Sequence, residues 1–170
     1  MQRPREITGG EGGAEVTLDA GQPAPVFDLP TDSGGRVRLA DLKGGPVVLY
    51  FYPKDDTPGC TTEAQGFAEA SGDFQAAGIR LVGISKDSTA SHDKFKAKYG
   101  LPFPLASDEA GGVVEAYGSW VEKSRYGKTY MGIDRSTFLI DGDGIVRRVW
   151  RKVSVPGHVV EVLAAARALG

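Results

Sequence analysis

Apolar positions recur along this chain with two different periods, and the switches between them divide it into strands and helices. The run Pro46-Val-Val-Leu-Tyr-Phe-Tyr-Pro53 is apolar at nearly every position, which predicts a strand buried on both faces. Arg36-Val-Arg-Leu39 instead alternates polar with apolar, as a half-buried strand does, and Gly34-Gly35 before it reads as a hairpin turn. From Thr61, small or apolar residues return at Ala64, Phe67, Ser71, Phe74 and Ala77. That spacing predicts a helix ended by Gly78. Ile79-Arg-Leu-Val-Gly-Ile84 reads as the next strand. Ser88 or Thr89 can cap a helix carrying Phe95 and Tyr99, closed by Gly100 and Pro102. A shorter helix is expected near 110–117. Ser136–Ile140, the turn Asp141-Gly-Asp-Gly144 and Ile145–Trp150 predict a β-hairpin. A last helix from about residue 157 places Val159, Val162, Ala166 and Leu169 at spacings of three and four.

This order predicts an α/β sandwich with a central mixed β-sheet flanked by helices, the thioredoxin-like arrangement. At 170 residues the chain is expected to form one domain, over residues 19–170. Residues 1–18 carry Gly9, Gly10, Gly12 and Gly13 among charged residues and read as a flexible arm. A formal net charge of −2 predicts no attraction to nucleic acid or to an anionic membrane. No stretch is long and apolar enough to span a bilayer, and Met1–Thr8 lacks the apolar run of a signal peptide. The single cysteine excludes an internal disulfide, so a reducing cytoplasm is the expected compartment.

That cysteine, Cys60, carries the chemistry. The buried strand runs straight into Lys54-Asp-Asp-Thr57-Pro58-Gly59-Cys60, and the helical pattern begins next to the thiol. Unpaired backbone N–H groups and the positive end of the helix dipole favour a thiolate there, and the thiolate is the nucleophile. The sulfur is therefore expected to be ionised and reachable, in a small polar hollow.

The constellation Pro53-x-x-x-Thr57-x-x-Cys60 resembles the signature of the peroxiredoxins. The longer run Phe51–Thr61 is most similar to their bacterioferritin-comigratory-protein, or peroxiredoxin Q, subfamily. Gly21–Leu29, Trp120-Val-Glu-Lys123, Gly127–Tyr130 and Gly132–Asp141 agree with it, so the resemblance covers roughly residues 20–170. It implies that Cys60 attacks a hydroperoxide oxygen and becomes a sulfenic acid. Thr57 would hold the peroxide or the cysteine through its hydroxyl. Pro53 would shape the strand exit and shield the reaction from water. Arg135, from a distant strand, would point at the sulfur, favour the thiolate and orient the peroxide. No metal or organic cofactor is implied. Many members of the subfamily carry a second, resolving cysteine five residues after the first, where this chain has Gln65. The oxidised sulfur would then need an external thiol: thioredoxin, glutaredoxin or a small thiol such as glutathione. A monomer or weak homodimer is implied.

Plainer explanations compete at several positions. A lone cysteine is often just a small buried hydrophobe. Arg135 by itself would be a surface salt-bridge partner, Thr57 a turn residue and Pro53 a strand terminator. Glu63, one turn into the helix, is placed to neighbour the site, but reads first as a partner of the helix dipole in the first turn. His92 and His158 lie in polar surroundings far from Cys60 in sequence, which argues against a Cys–His pair. Asp141–Gly144 reads as a hairpin turn, because Ile145 stands where a calcium loop needs a ligand. Lys123, Arg125 and Lys128 read as a solvated basic loop. The N-terminal glycines match no phosphate loop. Two rivals to the peroxidase remain. A thiol–disulfide oxidoreductase needs Cys-x-x-Cys where Thr57-Pro-Gly-Cys60 stands, and a silent thioredoxin-fold binding module needs nothing of Cys60.

Overall fold

The computed structural model describes residues 18–169. The arm expected over residues 1–18 lies outside them except for Leu18, which is buried, its carbonyl accepting a hydrogen bond from Arg151 Nη2 at 2.9 Å. Leu18 therefore belongs with the packed part of the chain.

The elements follow the hydrophobic pattern closely. A short pair, β1 (Asp28–Pro30) and β2 (Arg36–Arg38), opens the described region. The buried run is β3 (Val47–Phe51), followed by α1 (Pro58–Ala76), β4 (Arg80–Ser85) and α2 (Thr89–Tyr99). Next come β5 (Leu105–Ser107), α3 (Gly112–Ala116), β6 (Trp120–Arg125) and β7 (Lys128–Ile133). The chain closes with the hairpin β8 (Ser136–Ile140) and β9 (Val146–Trp150) and with α4 (His158–Leu169).

Five strands form one mixed sheet in the order β5-β4-β3-β8-β9. β3 runs parallel to β4 and antiparallel to β8, with Leu49 opposite Val82 on one side and Phe138 on the other. This central position explains why β3 is apolar throughout: both of its faces are covered. Val47, Leu49 and Phe51 join one core, with Ile84, Tyr117, Phe138 and Ile140. Val48, Tyr50 and Tyr52 join the other, with Phe67 and Phe74 of α1, Phe95 of α2 and Val162 of α4. The α/β architecture with a mixed sheet flanked by helices is the thioredoxin-like fold.

Two elements depart from the pattern. β5 contributes three buried residues to the sheet edge, too few to announce a period. β6 and β7 form a separate two-stranded hairpin, so Lys123, Arg125 and Lys128 are strand residues rather than parts of a loop. Lys123 stands opposite Tyr130, and Arg125 opposite Lys128.

Candidate active site

β3 delivers the chain to the C-terminal edge of the sheet, and α1 starts seven residues after the strand ends. Thr57 takes an extended conformation (φ −96°, ψ 157°) and Pro58 is the first helical residue. Proline suits that place, since its ring presets φ and the N–H it lacks would have no acceptor in the helix. Helix thus begins three residues ahead of Thr61, with Thr61 N–H bonded to Thr57 O at 2.8 Å. Cys60 is the third residue of the first turn, where backbone N–H groups have no intrahelical partner.

Arg135 approaches this turn from the segment between β7 and β8. Its Nη2 donates to Cys60 Sγ at 3.4 Å, and its Nη1 donates to Glu63 Oε1 at 2.6 Å. A Cβ on Gly59 would lie 3.1 Å from Arg135 Nη2, so glycine clears the path of the guanidinium to the sulfur. Burial works against the charge of Arg135, but Glu63 and Cys60 outweigh it and hold the guanidinium still more firmly protonated.

Glu63 is the residue that sequence reasoning misplaced. It is fully buried on the inner face of α1 and forms an ion pair with Arg135; it does not partner the helix dipole. Burial pushes its carboxyl up to about 7, against the pull of Arg135. Its second oxygen, Oε2, has no hydrogen-bond partner among the described residues and is the natural seat of the proton. The signal available in sequence was its spacing of three from Cys60, one helical turn on.

The remaining expected residues are less direct. The Thr57 hydroxyl donates to Lys54 O at 2.9 Å, which closes the loop rather than reaching the sulfur. Pro53 is half-buried at the strand exit. Cys60 itself is 1% exposed, so the open hollow expected from sequence is a nearly closed one in this state. Beside the first turn of α1 lies an apolar groove of about 580 Å³ between Pro58, Gly59, Thr62, Val155, Val159 and Val160.

Both histidines are buried, contrary to their polar sequence surroundings. His158 accepts from or donates to Thr137 Oγ1 at 2.8 Å and packs edge-on against Trp150 and Phe67; burial lowers it to about 4, so it is neutral. His92 Nδ1 lies 2.8 Å from Asp55 Oδ2 in the loop between β3 and α1. Neither histidine bonds the sulfur.

Residues 20–149 match the AhpC/TSA family. The chain belongs to that family. The peroxiredoxin Bcp of Bacillus subtilis is 49% identical over 148 residues, which is 87% of this chain and 94% of the relative. The peroxiredoxin Bcp of Escherichia coli is 44% identical over 83% of this chain and 90% of its own. A structure of the Xanthomonas campestris bacterioferritin comigratory protein, solved for insight into its alkyl peroxide reduction activity, superposes with a TM-score of 0.83. It is 43% identical and covers 89% of this chain and 99% of its own. The protein is therefore a thiol peroxidase, a peroxiredoxin of the Bcp or peroxiredoxin Q type with one cysteine. That selects the peroxidase over both the thiol–disulfide oxidoreductase and the silent binding module. In this peroxiredoxin the cysteine, the arginine and the buried glutamate form one cluster, which Pro53 and Thr57 border through the loop.

Proposed function

We propose that Cys60 is the peroxidatic residue of this peroxiredoxin, and that Arg135, Thr57 and Pro53 serve it. The observation that carries the proposal is the 3.4 Å contact of Arg135 Nη2 with Cys60 Sγ at the first turn of α1. A guanidinium is aimed at the sulfur beside the start of a helix, and both stabilise negative charge that develops there during the reaction. The thiolate attacks the terminal oxygen of a hydroperoxide: an S–O bond forms and the O–O bond breaks. The departing oxygen takes up a proton and leaves as water or an alcohol, and the sulfur is left as sulfenic acid.

The substrates are hydrogen peroxide and organic hydroperoxides. The apolar groove beside Pro58 and Thr62 supports the second class, since an alkyl group there leaves water. Thr57 fixes the loop through its bond to Lys54 O, and Pro53 stiffens the strand exit and limits water. Regeneration uses an external thiol, of the thioredoxin, glutaredoxin or glutathione kind, because Gln65 occupies the resolving position and no second cysteine exists. Its thiolate attacks the sulfenic sulfur and expels hydroxide, and a second thiol releases the mixed disulfide. The enzyme works as a monomer or weak homodimer in a reducing cytoplasm.

Peroxide consumption coupled to each thiol system tests the assignment. Wild type should turn over with at least one reductant, and Cys60→Ser should abolish turnover. Undiminished consumption by Cys60→Ser would remove Cys60 from the reaction.

A further inference from the structure

The hairpin β6–β7 stands apart from the central sheet, and its two faces differ in charge. Residues opposite one another across a ladder, and residues two apart along a strand, share a face. The pairs Lys123–Tyr130 and Arg125–Lys128 therefore lie on one face, which carries three cations and no acid. The pairs Trp120–Ile133 and Glu122–Met131 lie on the other, whose base packs on the core through Trp120 and Ile133.

Two features of this hairpin oppose its stability and are repaid by nothing inside the fold. Arg125 stands directly opposite Lys128, and like charges so placed repel. Neither they nor Lys123 forms an ion pair among the described residues. The second feature is the turn. Tyr126 (φ 53°) and Gly127 (φ 77°) both take positive φ, as the type I′ turn of a two-residue hairpin requires, and its first place favours asparagine, aspartate or glycine. A tyrosine there is strained. Its ring is 89% exposed, with the Arg125 guanidinium 5.3 Å from the centroid, and Tyr130 beside Lys123 is 48% exposed. Tyrosine and arginine are the side chains that protein interfaces concentrate.

This face reaches the site. β7 runs through Asp134 into Arg135, whose Nη2 touches Cys60 Sγ. A Cβ on Gly132 would lie 3.3 Å from Lys123 Cδ, so the glycine lets the Lys123 stem lie across β7 towards that end. Burial holds the Lys123 ammonium below the ordinary lysine value, and the charges it feels are those of Asp134, Arg135 and Cys60.

We propose that this face of β6–β7, formed by Lys123, Arg125, Lys128 and Tyr130 with Tyr126 at the tip, is the docking surface for an acidic protein that carries the reducing thiol. Charge and place select that occupant. A cationic face on a chain of net charge −2 steers an acidic partner to one spot, and the spot borders a sulfur that needs a thiol from outside. The docking face deepens the proposed regeneration step and rests on Cys60 being the reacting residue. A second copy of this chain would bring only a buried sulfur, and a small anionic thiol would leave the two exposed tyrosines unused.

Stopped-flow reduction of the oxidised full-length protein tests this. Protein oxidised with one equivalent of hydrogen peroxide is mixed with a reduced thioredoxin or glutaredoxin of net negative charge, with glutathione, or with dithiothreitol. Wild type is compared with Arg125→Glu, which sets a carboxylate opposite Lys128, and with Tyr126→Asn, which suits the turn. Both substitutions relieve the hairpin, so both should raise the thermal midpoint. At low salt Arg125→Glu should nonetheless slow the faster protein reductant about fivefold, and Tyr126→Asn about threefold. Salt near about 0.5 M should bring wild type down towards Arg125→Glu. Oxidation by peroxide and reduction by dithiothreitol should be unchanged in both variants. Equal rates with the protein thiols, or no reduction of wild type by either, would overturn the docking face. Slowing with glutathione alone would assign the face to a small anionic thiol and overturn it too. So would a wild-type dimer, seen by sedimentation, that Arg125→Glu dissociates while the reductant rates stay the same. A Cys60→Ser control that still consumes peroxide would sink the site assignment instead, and the two failures are thereby told apart.

Discussion

Arg135 carries one positive charge between two groups that can each become negative, Cys60 and Glu63. On the proposed assignment, its worth to the reaction is electrostatic and geometric at once. Arg135→Ala should slow oxidation of Cys60 by hydrogen peroxide by about a hundredfold or more, the usual cost of removing one preorganised donor from a developing charge. Arg135→Lys should recover only part of that rate, since an ammonium cannot span the sulfur and the carboxylate as the fork does. Equal rates in wild type and Arg135→Ala would take the guanidinium out of the site. Glu63 makes a separate prediction about stability. Its carboxyl stands at about 7 in the folded chain against 4.5 for an open glutamate. The folded state therefore holds the proton more tightly than the unfolded one. The stability this adds is full below about 4.5 and is lost as pH rises through about 7, roughly 3 kcal/mol in all. Denaturant melts near pH 5 and pH 8 should show wild type losing roughly that much more than Glu63→Gln. Parallel pH profiles in the two proteins would contradict the buried, proton-binding carboxyl.

α1 must begin at the sulfur and also anchor the core beneath it. Phe67 stacks on Tyr50 with 4.6 Å between ring centroids and lies 6.0 Å from the Phe74 ring, fully buried. Phe67→Ala should cost about 3–5 kcal/mol in denaturant unfolding, as large core truncations do. A cost below about 1 kcal/mol would mean that this face of α1 is not the core it looks to be. The rigidity of α1 also bears on Gln65. Residues five apart in a helix are separated by about 7.5 Å along the axis, beyond the reach of an unstrained disulfide. A disulfide in Gln65→Cys should therefore form only after peroxide treatment and with loss of helical circular dichroism. Formation without helix loss would show that the first turn is not helical in solution. Most of these elements were legible as patterns. β3 announced itself because both faces are buried, and α1 because Phe67 and Phe74 share one stripe. The β6–β7 hairpin did not, because Glu122, Ser124, Arg125, Lys128 and Thr129 are all exposed and leave no apolar alternation to read. Its order comes from the cross-strand ladder between Trp120 and Ile133. Spacing and flanking motifs pointed to Cys60, Thr57, Pro53 and Arg135, and of these the structure brings Arg135 into contact with Cys60 while Thr57 bonds Lys54 O instead. Glu63 and His92 were not, because a charged side chain is buried only when a partner arrives from elsewhere in the chain. Those partners, Arg135 and Asp55, lie 72 and 37 residues away in sequence.

At the scale of the molecule, one sheet gathers the parts of the site at one end: the exit of β3, the start of α1 and the approach to β8. The protein has a single sulfur for the whole cycle besides its two methionines. Once oxidised, Cys60 has no internal thiol to protect it. Excess peroxide without a reductant should carry it past sulfenic acid to sulfinic and sulfonic acids, read as successive oxygen additions in the intact mass. A thiol supplied from the start should hold it at the reduced mass. Survival of the sulfenic form under excess peroxide would mean that the closed site itself excludes the second attack. The most direct test of the central claim is to trap the first intermediate. One equivalent of hydrogen peroxide is added in the presence of dimedone, and the adduct is mapped by peptide mass spectrometry. The account predicts the adduct on Cys60 in wild type and its near-absence in Arg135→Ala at the same reaction time. Peroxide consumed by wild type with no adduct on Cys60 would contradict it.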